Sequence, residues 1–327
     1  MVSRTDPSAM RESAPLVSVV IPCYAQAHFL GSAIESALAQ EPVPVEVVVV
    51  DDGSPDDVVG VATRYPGVRC VRQRNQGLSA ARNTGIRASS GGFLVFLDSD
   101  DRLLPGALAA GLACFAEHPE SAFVYGDFRF MAENGTPLQR RRRHALDVDL
   151  YGGMLVRNHI EMTSTVMFRR AVLEELGGFV TSLRSAEDYE LLLRIARQRH
   201  TSFHGALVAE YRRYESHGSS LSQNPAGMLR STMAVLHAQR PFVGGNAFYE
   251  SQLARGIRFF QDYYGGELIG EVRSLIHAHD WKRALRGMVV LVRYYPSGVA
   301  ERVARRAAAA LRALRGRAHP RGKPRAA

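Results

Sequence analysis

The patterned part of the chain opens at residues 16–22, LVSVVIP, an apolar and β-branched run that reads as a buried strand. Residues 28–40 follow with apolar side chains at 29, 30, 33, 34, 37 and 38, a helical period. Residues 45–50 are almost pure valine and predict a second buried strand, broken by Asp51-Asp52-Gly53-Ser54-Pro55. Strands apolar on both faces belong to sheets covered on both sides. The alternation continues with a helix over 56–64, a strand over 68–73, a helix over 78–88 and a strand over 93–97. A helix over 105–117, with proline in its first turn, and a strand over 122–125 complete it. Alternating strands and helices predict βαβ units and an open, mostly parallel central sheet flanked by helices.

Beyond Gly126 the pattern loosens. Residues 128–138 read as a hairpin around Asn134-Gly135, followed by four arginines at 140–143. A short strand is expected over 165–168, an amphipathic helix over 187–198 and a last strand over 206–211. From Pro225 onward the pattern is helical only, ending in Ala/Arg repeats. The expected organisation is a flexible N-terminus over 1–15, an α/β domain over 16–222, a helical C-terminal extension over 223–300 and a basic tail over 301–327.

Composition changes this picture in three places. With 327 residues and 46% apolar content, the chain can build a full core without disulfides or structural metals. Its three cysteines, Cys23, Cys70 and Cys114, form no CxxC pair, which argues against a thiolate zinc site and suits a reduced, cytoplasmic compartment. The N-terminal residues lack the apolar core of a signal peptide, and the run 288–292 is far too short to span a bilayer. The net charge of +9 is concentrated at one end: residues 301–327 hold nine Lys/Arg and one acid, leaving the other 300 residues at +1. Residues 299–315 place Val303, Ala307, Ala310, Leu311 and Leu314 on one helical face with arginines elsewhere. Such a helix suits an anionic membrane surface, with residues 288–292 as a shallow apolar contact, or docks on the protein body.

Open α/β sheets bind ligands beyond the carboxyl ends of their strands. Two acidic clusters fall at such ends, Asp51-Asp52 and Asp98-Ser99-Asp100-Asp101. Gathered carboxylates repel one another, and a hard divalent cation, Mg²⁺ or Mn²⁺, relieves that repulsion. Asp101 by itself is also placed to cap the helix that follows.

Five blocks now stand in order: VSVVIPCYAQAHFLGSAIESALAQ, EVVVVDDGSPDD, NQGLSAARNTGI, FLVFLDSDD and SAEDYELLLR. Together they resemble the inverting family 2 glycosyltransferases of the GT-A fold, across residues 16–222. The resemblance implies a nucleoside-diphosphate sugar donor. Asp52 would contact the nucleotide base with Asp51 beside it, and Pro22 and Tyr24 would line the base pocket. Gly77, Arg82 and Asn83 would pack against the nucleotide. Asp98 and Asp100 match the DxD pair that holds the metal on the diphosphate, with Asp101 sharing metal or ribose contacts. Asp188, in the Glu187-Asp188 pair, occupies the position of the base that deprotonates the acceptor hydroxyl. The segment from Tyr211 to Ser222 resembles the family's closing YRxHxxSxS; there Arg212 would meet phosphate oxygens and His217 the metal or diphosphate. One departure stands out, since Ala25 follows Tyr24 where many members have Asn.

Read as local chemistry alone, the same residues have plainer roles. Gly77 is a turn residue, Arg82 a charge on a helix surface and Tyr24 a packing aromatic. Asp188 is a partner of the helix dipole and His217 a solvated loop histidine. The expected function is sugar transfer to a saccharide or lipid-linked acceptor in bacterial cell-surface polysaccharide or glycolipid synthesis, at the cytoplasmic face of the membrane. The alternatives are a nucleotidyltransferase, against which stands the lack of Arg, Lys or Gly over residues 22–30, and nucleic-acid binding through the basic tail.

Overall fold

All seven residues of β1 (Val17–Cys23) are buried, as expected of a strand with no solvent-facing side. The computed structural model describes residues 16–141, 149–214 and 224–302, together with 304, 308 and 309. In it β1 pairs in parallel with β2 (Val45–Asp51) and with β4 (Phe93–Phe96), while β3 (Arg69–Arg72) lies beyond β2. Three helices connect these strands: α1 (Ala27–Leu38), α2 (Val58–Ala62) and α3 (Leu78–Ala88). Side chains alternate across the strands with a period of two. Val19, Ile21, Val47 and Val49 therefore join Leu30 and Ile34 of α1 in one core. Val20, Val48 and Val50 join Ala81 and Ile86 of α3 in the other.

The second half of the sheet is mixed. It comprises β5 (Arg102–Leu103), β6 (Phe123–Met131), β7 (Pro137–Arg141), β8 (Val166–Arg169) and β9 (Thr201–Arg212). The strand order is β3-β2-β1-β4-β8-β6-β9-β5, with β7 on β6. Strand β8 runs antiparallel to both β4 and β6, and so joins the parallel half to the rest. Strands β6 and β9 are parallel to each other, whereas β5 on β9 and β7 on β6 are antiparallel. The expected hairpin is the β6–β7 pair; Gly135 takes φ 84° at its tip, and the Ala132 N–H donates to the Thr136 carbonyl at 2.8 Å.

Several elements differ from their sequence-based bounds. The strand expected over 122–125 runs on to Met131, and the one expected over 206–211 starts at Thr201. Each uses the other as its ladder partner, and that pairing is invisible in a local window. The helix expected over 105–117 is α4 (Ala107–Glu117); Gly106, at φ 78°, precedes it, so Pro105 lies outside the first turn. The helices α5 (Leu150–Val156) and α6 (Arg170–Glu175) are too short to show a period of their own. The amphipathic helix is α7 (Glu187–Ala196).

After residue 224 the described chain is helical, with α8 (Pro225–His237), α9 (Arg240–Val243), α10 (Ala247–His277) and α11 (Trp281–Tyr294). Asn224 caps α8 by accepting the Gly227 N–H at 2.9 Å, with Pro225 at the first position. The long helix α10 lies against α5, where a Cβ at Gly256 would sit 1.8 Å from the Leu155 carbonyl oxygen. It also touches α7, with the Phe260 and Tyr189 rings 5.7 Å apart. No helix among the described residues is long and apolar enough to cross a membrane. His217, the arginines at 142 and 143, and most of the basic tail lie outside the described residues.

Candidate active site

Because β1, β2 and β4 are parallel, their carboxyl ends share one edge of the sheet. Pro22 is buried in β1 opposite Val50, and Tyr24 projects from the strand end with its ring half exposed. Ala25 takes the left-handed φ of 56°, and its N–H donates to Ser54 Oγ at 3.0 Å. This tie joins the end of β1 to the turn after β2.

Asp51 and Asp52 are both buried. Asp51 Oδ1 accepts the Ser54 N–H at 2.7 Å and closes the tight turn, while its Oδ2 faces Arg72 Nε at 3.3 Å. Asp52 organises the loop entering α3. Its Oδ1 accepts from Gln73 Nε2 at 2.7 Å and the Gln76 N–H at 2.9 Å, and its Oδ2 accepts the Gly77 N–H at 2.8 Å. Gly77 stands at φ 90° as the residue before α3, a conformation that L side chains rarely adopt.

Arg82 is not a charge on a helix surface: it is 2% exposed. Its Nη1 donates to Glu187 Oε1 at 2.7 Å, its Nη2 to Asp98 Oδ1 at 2.8 Å, and its guanidinium lies 5.2 Å from the Phe179 ring centroid. Its Nε has no hydrogen-bond partner. Asn83 beside it holds Phe179 at both backbone groups: Nδ2 donates to the carbonyl and Oδ1 accepts the N–H, each at 2.8 Å. Two successive residues of α3 thus fix the approach to α7.

The acidic turn after β4 divides its work. Asp98 is half-buried and held by Arg82. Asp100 Oδ2 accepts from the Tyr214 hydroxyl at 2.6 Å and from Gln26 Nε2 at 3.2 Å, while Ser99 Oγ donates to Gln26 Oε1 at 2.6 Å. Burial and the nearby Asp98 charge push the Asp100 carboxyl above its ordinary range. Asp101 is buried and does not cap α4, whose flanking residue is Gly106. Its Oδ1 accepts the Arg212 N–H at 2.9 Å, its Oδ2 is unpartnered, and burial raises its pKa strongly. Arg212 is spent on backbone: Nε donates to the Asp100 carbonyl at 2.7 Å and Nη1 to that of Glu133 at 2.5 Å, with the guanidinium 4.4 Å from the Phe29 ring centroid. Arg212 thereby fastens the acidic turn to the β6–β7 hairpin.

Asp188 stands in the first turn of α7, next to Glu187, whose side chain is taken by Arg82. Its Oδ1 accepts the Tyr189 N–H at 2.7 Å, and Thr163 Oγ1 approaches Oδ2 at 3.5 Å. Burial, followed by the Glu187 charge, pushes its carboxyl up to about 6, with Arg82 pulling the other way. A carboxylate so tuned is ionised at neutral pH yet is a better proton acceptor than an ordinary aspartate. Sequence reasoning missed Gln26, Thr163, Phe179 and Tyr214. Of these, Gln26 lay in the first of the five blocks and Tyr214 in the closing segment, whereas Thr163 and Phe179 lay in no block with a family signature.

Among the described residues no three His, Cys, Asp or Glu side chains gather so as to hold a metal by themselves. The Asp98–Asp100 pair nevertheless fits an ion that brings phosphate and water ligands, since Mg²⁺ is commonly held by one or two carboxylates plus substrate phosphates.

The sequence model of Glycosyl transferase family 2 matches residues 18–177, which carry the DDGS turn, the Arg82–Asn83 pair and the acidic turn. Those residues form a glycosyl transferase family 2 region. Similar to this chain is the uncharacterized protein y4gI of Sinorhizobium fredii, 31% identical over 223 residues, covering 66% of this chain and 24% of that one. Chondroitin synthase of Escherichia coli is 30% identical over 193 residues, 58% of this chain and 28% of that one. The uncharacterized protein MT1568 of Mycobacterium tuberculosis is 33% identical over 199 residues, 55% and 62% of the two chains. The chain therefore spans about a quarter of the length of the first two relatives and under two thirds of the third. Among solved structures, Staphylococcus aureus TarS 1-349 in complex with UDP-GlcNAc matches with a TM-score of 0.56 at 18% identity, over 76% of this chain and 72% of that one. The fold is of the GT-A type. The family 2 match over residues 18–177 does not favour the nucleotidyltransferase or nucleic-acid readings.

Proposed function

We propose that this chain is an inverting glycosyltransferase that moves a sugar from a nucleoside-diphosphate donor to an acceptor hydroxyl. The observation that carries the reading is the Arg82 link, which ties Asp98 of the strand-end acidic turn to Glu187 and so sets Asp188 beside it. A donor-side carboxylate and a tuned base are thereby locked in one geometry.

On this reading the nucleotide lies over the strand ends near Tyr24, Asp51, Asp52 and Gly77, with Asp98 and Asp100 turned to the diphosphate. Those two aspartates would hold Mg²⁺ or Mn²⁺, which when bound offsets the charge of the departing diphosphate. Asp188 takes the proton of the acceptor hydroxyl as the new C–O bond forms and the bond from the anomeric carbon to the diphosphate breaks. The sugar thus inverts in a single displacement. UDP-sugars are the first donors to test, because TarS structures of the same fold are in complex with UDP and with UDP-GlcNAc. The likeness to chondroitin synthase supports a saccharide acceptor in cell-surface polysaccharide synthesis. The basic stretch over 301–327 supports work on a lipid-linked acceptor at the cytoplasmic face of an anionic membrane.

The test is Asp188→Asn, which keeps the shape and removes the base. Transfer should fall by about 10²-fold or more, the scale of general-base contributions, with UDP-sugar affinity retained in calorimetry. Retained anomeric configuration in the product, or a loss of donor affinity in place of turnover, overturns the assignment.

A further inference from the structure

Helix α11 presents five large apolar side chains to solvent. Trp281, Leu285, Met288, Val289 and Val292 are 59, 59, 38, 61 and 64% exposed. Their spacing of i, i+4, i+7, i+8 and i+11 puts them on one continuous stripe, about 17 Å long at 1.5 Å per residue. The stripe cannot be turned inward. The opposite side of the helix is packed through Ala284, Gly287, Val290 and Leu291, and a Cβ at Gly287 would meet Val272 of α10 at 2.5 Å. Four exposed cations, Lys282, Arg283, Arg286 and Arg293, share the helix, which contains no acid. Arg283 Nε lies 3.9 Å from Asp280 just before the helix, and the Arg293 guanidinium lies 5.5 Å from the Tyr294 ring centroid.

We infer that the exposed face of α11, from Trp281 to Val292, is a docking surface for an anionic lipid bilayer, with the apolar stripe entering the headgroup boundary and the cations meeting lipid phosphates. The charge pattern selects this occupant. Residues 301–327 of the same chain carry a net +8, so as a cover for α11 they would set cation against cation. A second copy packed across a two-fold axis would oppose the same four cations to one another. An anionic bilayer satisfies both features at once, and interfacial helices combine this set of residues: tryptophan and aliphatics on one face, Lys/Arg on the polar side.

The location adds a consequence that rests on the transferase reading. Helix α10, against which α11 packs, also touches α7 through Phe260 and Tyr189, the residue next to Asp188. Docking α11 on a bilayer would hold the base close to a lipid-borne acceptor.

Trp281 is the single tryptophan of the chain, so it reports on this surface alone. The experiment titrates the full-length protein with vesicles of phosphatidylcholine, or of phosphatidylcholine containing about one third phosphatidylglycerol, and follows Trp281 emission and its quenching by brominated lipid. The anionic vesicles should shift the emission to the blue and be quenched. Partitioning should exceed that onto neutral vesicles by at least about tenfold, since each cation near an anionic surface contributes roughly a fivefold factor before geometric losses. Leu285→Glu with Val289→Glu, both at well-exposed positions, should lower partitioning by at least about tenfold while the melting temperature and UDP affinity stay unchanged. Removing residues 303–327 should leave the blue shift in place. Absence of the shift overturns the proposal, as does a shift that survives the double substitution but vanishes with the tail. Concentration-dependent dimers broken by the double substitution, without any lipid response, assign the face to a second copy instead. A wild-type protein that binds vesicles but none of the UDP-, GDP-, ADP- or dTDP-sugars refutes the transferase reading and leaves this surface standing.

Discussion

Replacing Arg82 with methionine keeps the length of the stem and removes the charge that two acids share. Glu187 loses a 2.7 Å partner in a fully buried setting, and Asp98 loses a 2.8 Å partner in a half-buried one. Breaking a buried ion pair by removing one member costs about 3–5 kcal/mol, because the remaining charge is left without compensation. Most of that comes from the Glu187 arm, since solvent already screens Asp98 in part. At about 2–4 °C per kcal/mol for a domain of this size, the melting temperature should fall by about 6–20 °C. The loss also acts on Asp188. Arg82 lowers the pKa of that carboxyl, and without it the value rises above about 6. A folded-state pKa raised above the unfolded value adds stability at low pH that is lost as pH rises through the folded value. The deficit of Arg82→Met should therefore be larger at pH 8 than at pH 5. Urea denaturation at the two pH values, together with the acid limb of kcat/KM, measures both effects. A deficit under about 1 kcal/mol, within the range of ordinary surface pairs, or an acid limb that does not move, would refute the account of Arg82 as keystone.

The wild-type protein should lose kcat/KM as pH falls through about 6, because Asp188 must be ionised to accept a proton; a limb that persists in Asp188→Asn would assign it to another group. Arg212→Ala should destabilise by about 2–4 kcal/mol, since it strips the bonds from a buried guanidinium to two backbone carbonyls and the stacking on Phe29; equal urea midpoints for variant and wild type would count against this. Gly256→Ala should loosen α10 from α5, the added Cβ standing 1.8 Å from the Leu155 carbonyl oxygen, and the readout is faster limited proteolysis between residues 224 and 247. Ala25→Gly should stabilise by up to about 1 kcal/mol in urea titration, because Ala25 holds a left-handed φ that glycine adopts without strain; a destabilised variant would show that the turn needs the methyl group.

Periodicity alone determined the parallel half of the sheet. A valine run buried on both faces has one stable environment, so 45–50 read as a strand with no knowledge of its neighbours. The strand ends were legible for the same reason: Asp51-Asp52 and Asp98–Asp101 interrupt apolar runs, and such interruptions mark where strands meet solvent or ligand. The contacts of those acids were not legible. Glu187 meets Arg82 from 105 positions away, and a lone arginine in a helical window carries no sign of whether it faces water or a buried carboxylate. The mixed half of the sheet was hidden likewise, because β8 takes its place between β4 and β6 through backbone bonds that no side-chain pattern encodes. Helix α11 shows the division most sharply. Its sequence holds large apolar residues on one arc and Ala284, Gly287, Val290 and Leu291 on another, and bulk alone would turn Trp281 and Leu285 inward. Tertiary packing decided otherwise, because α10 approaches so closely that the contact accepts a glycine at 287. Trp281 and Leu285 are left facing outward.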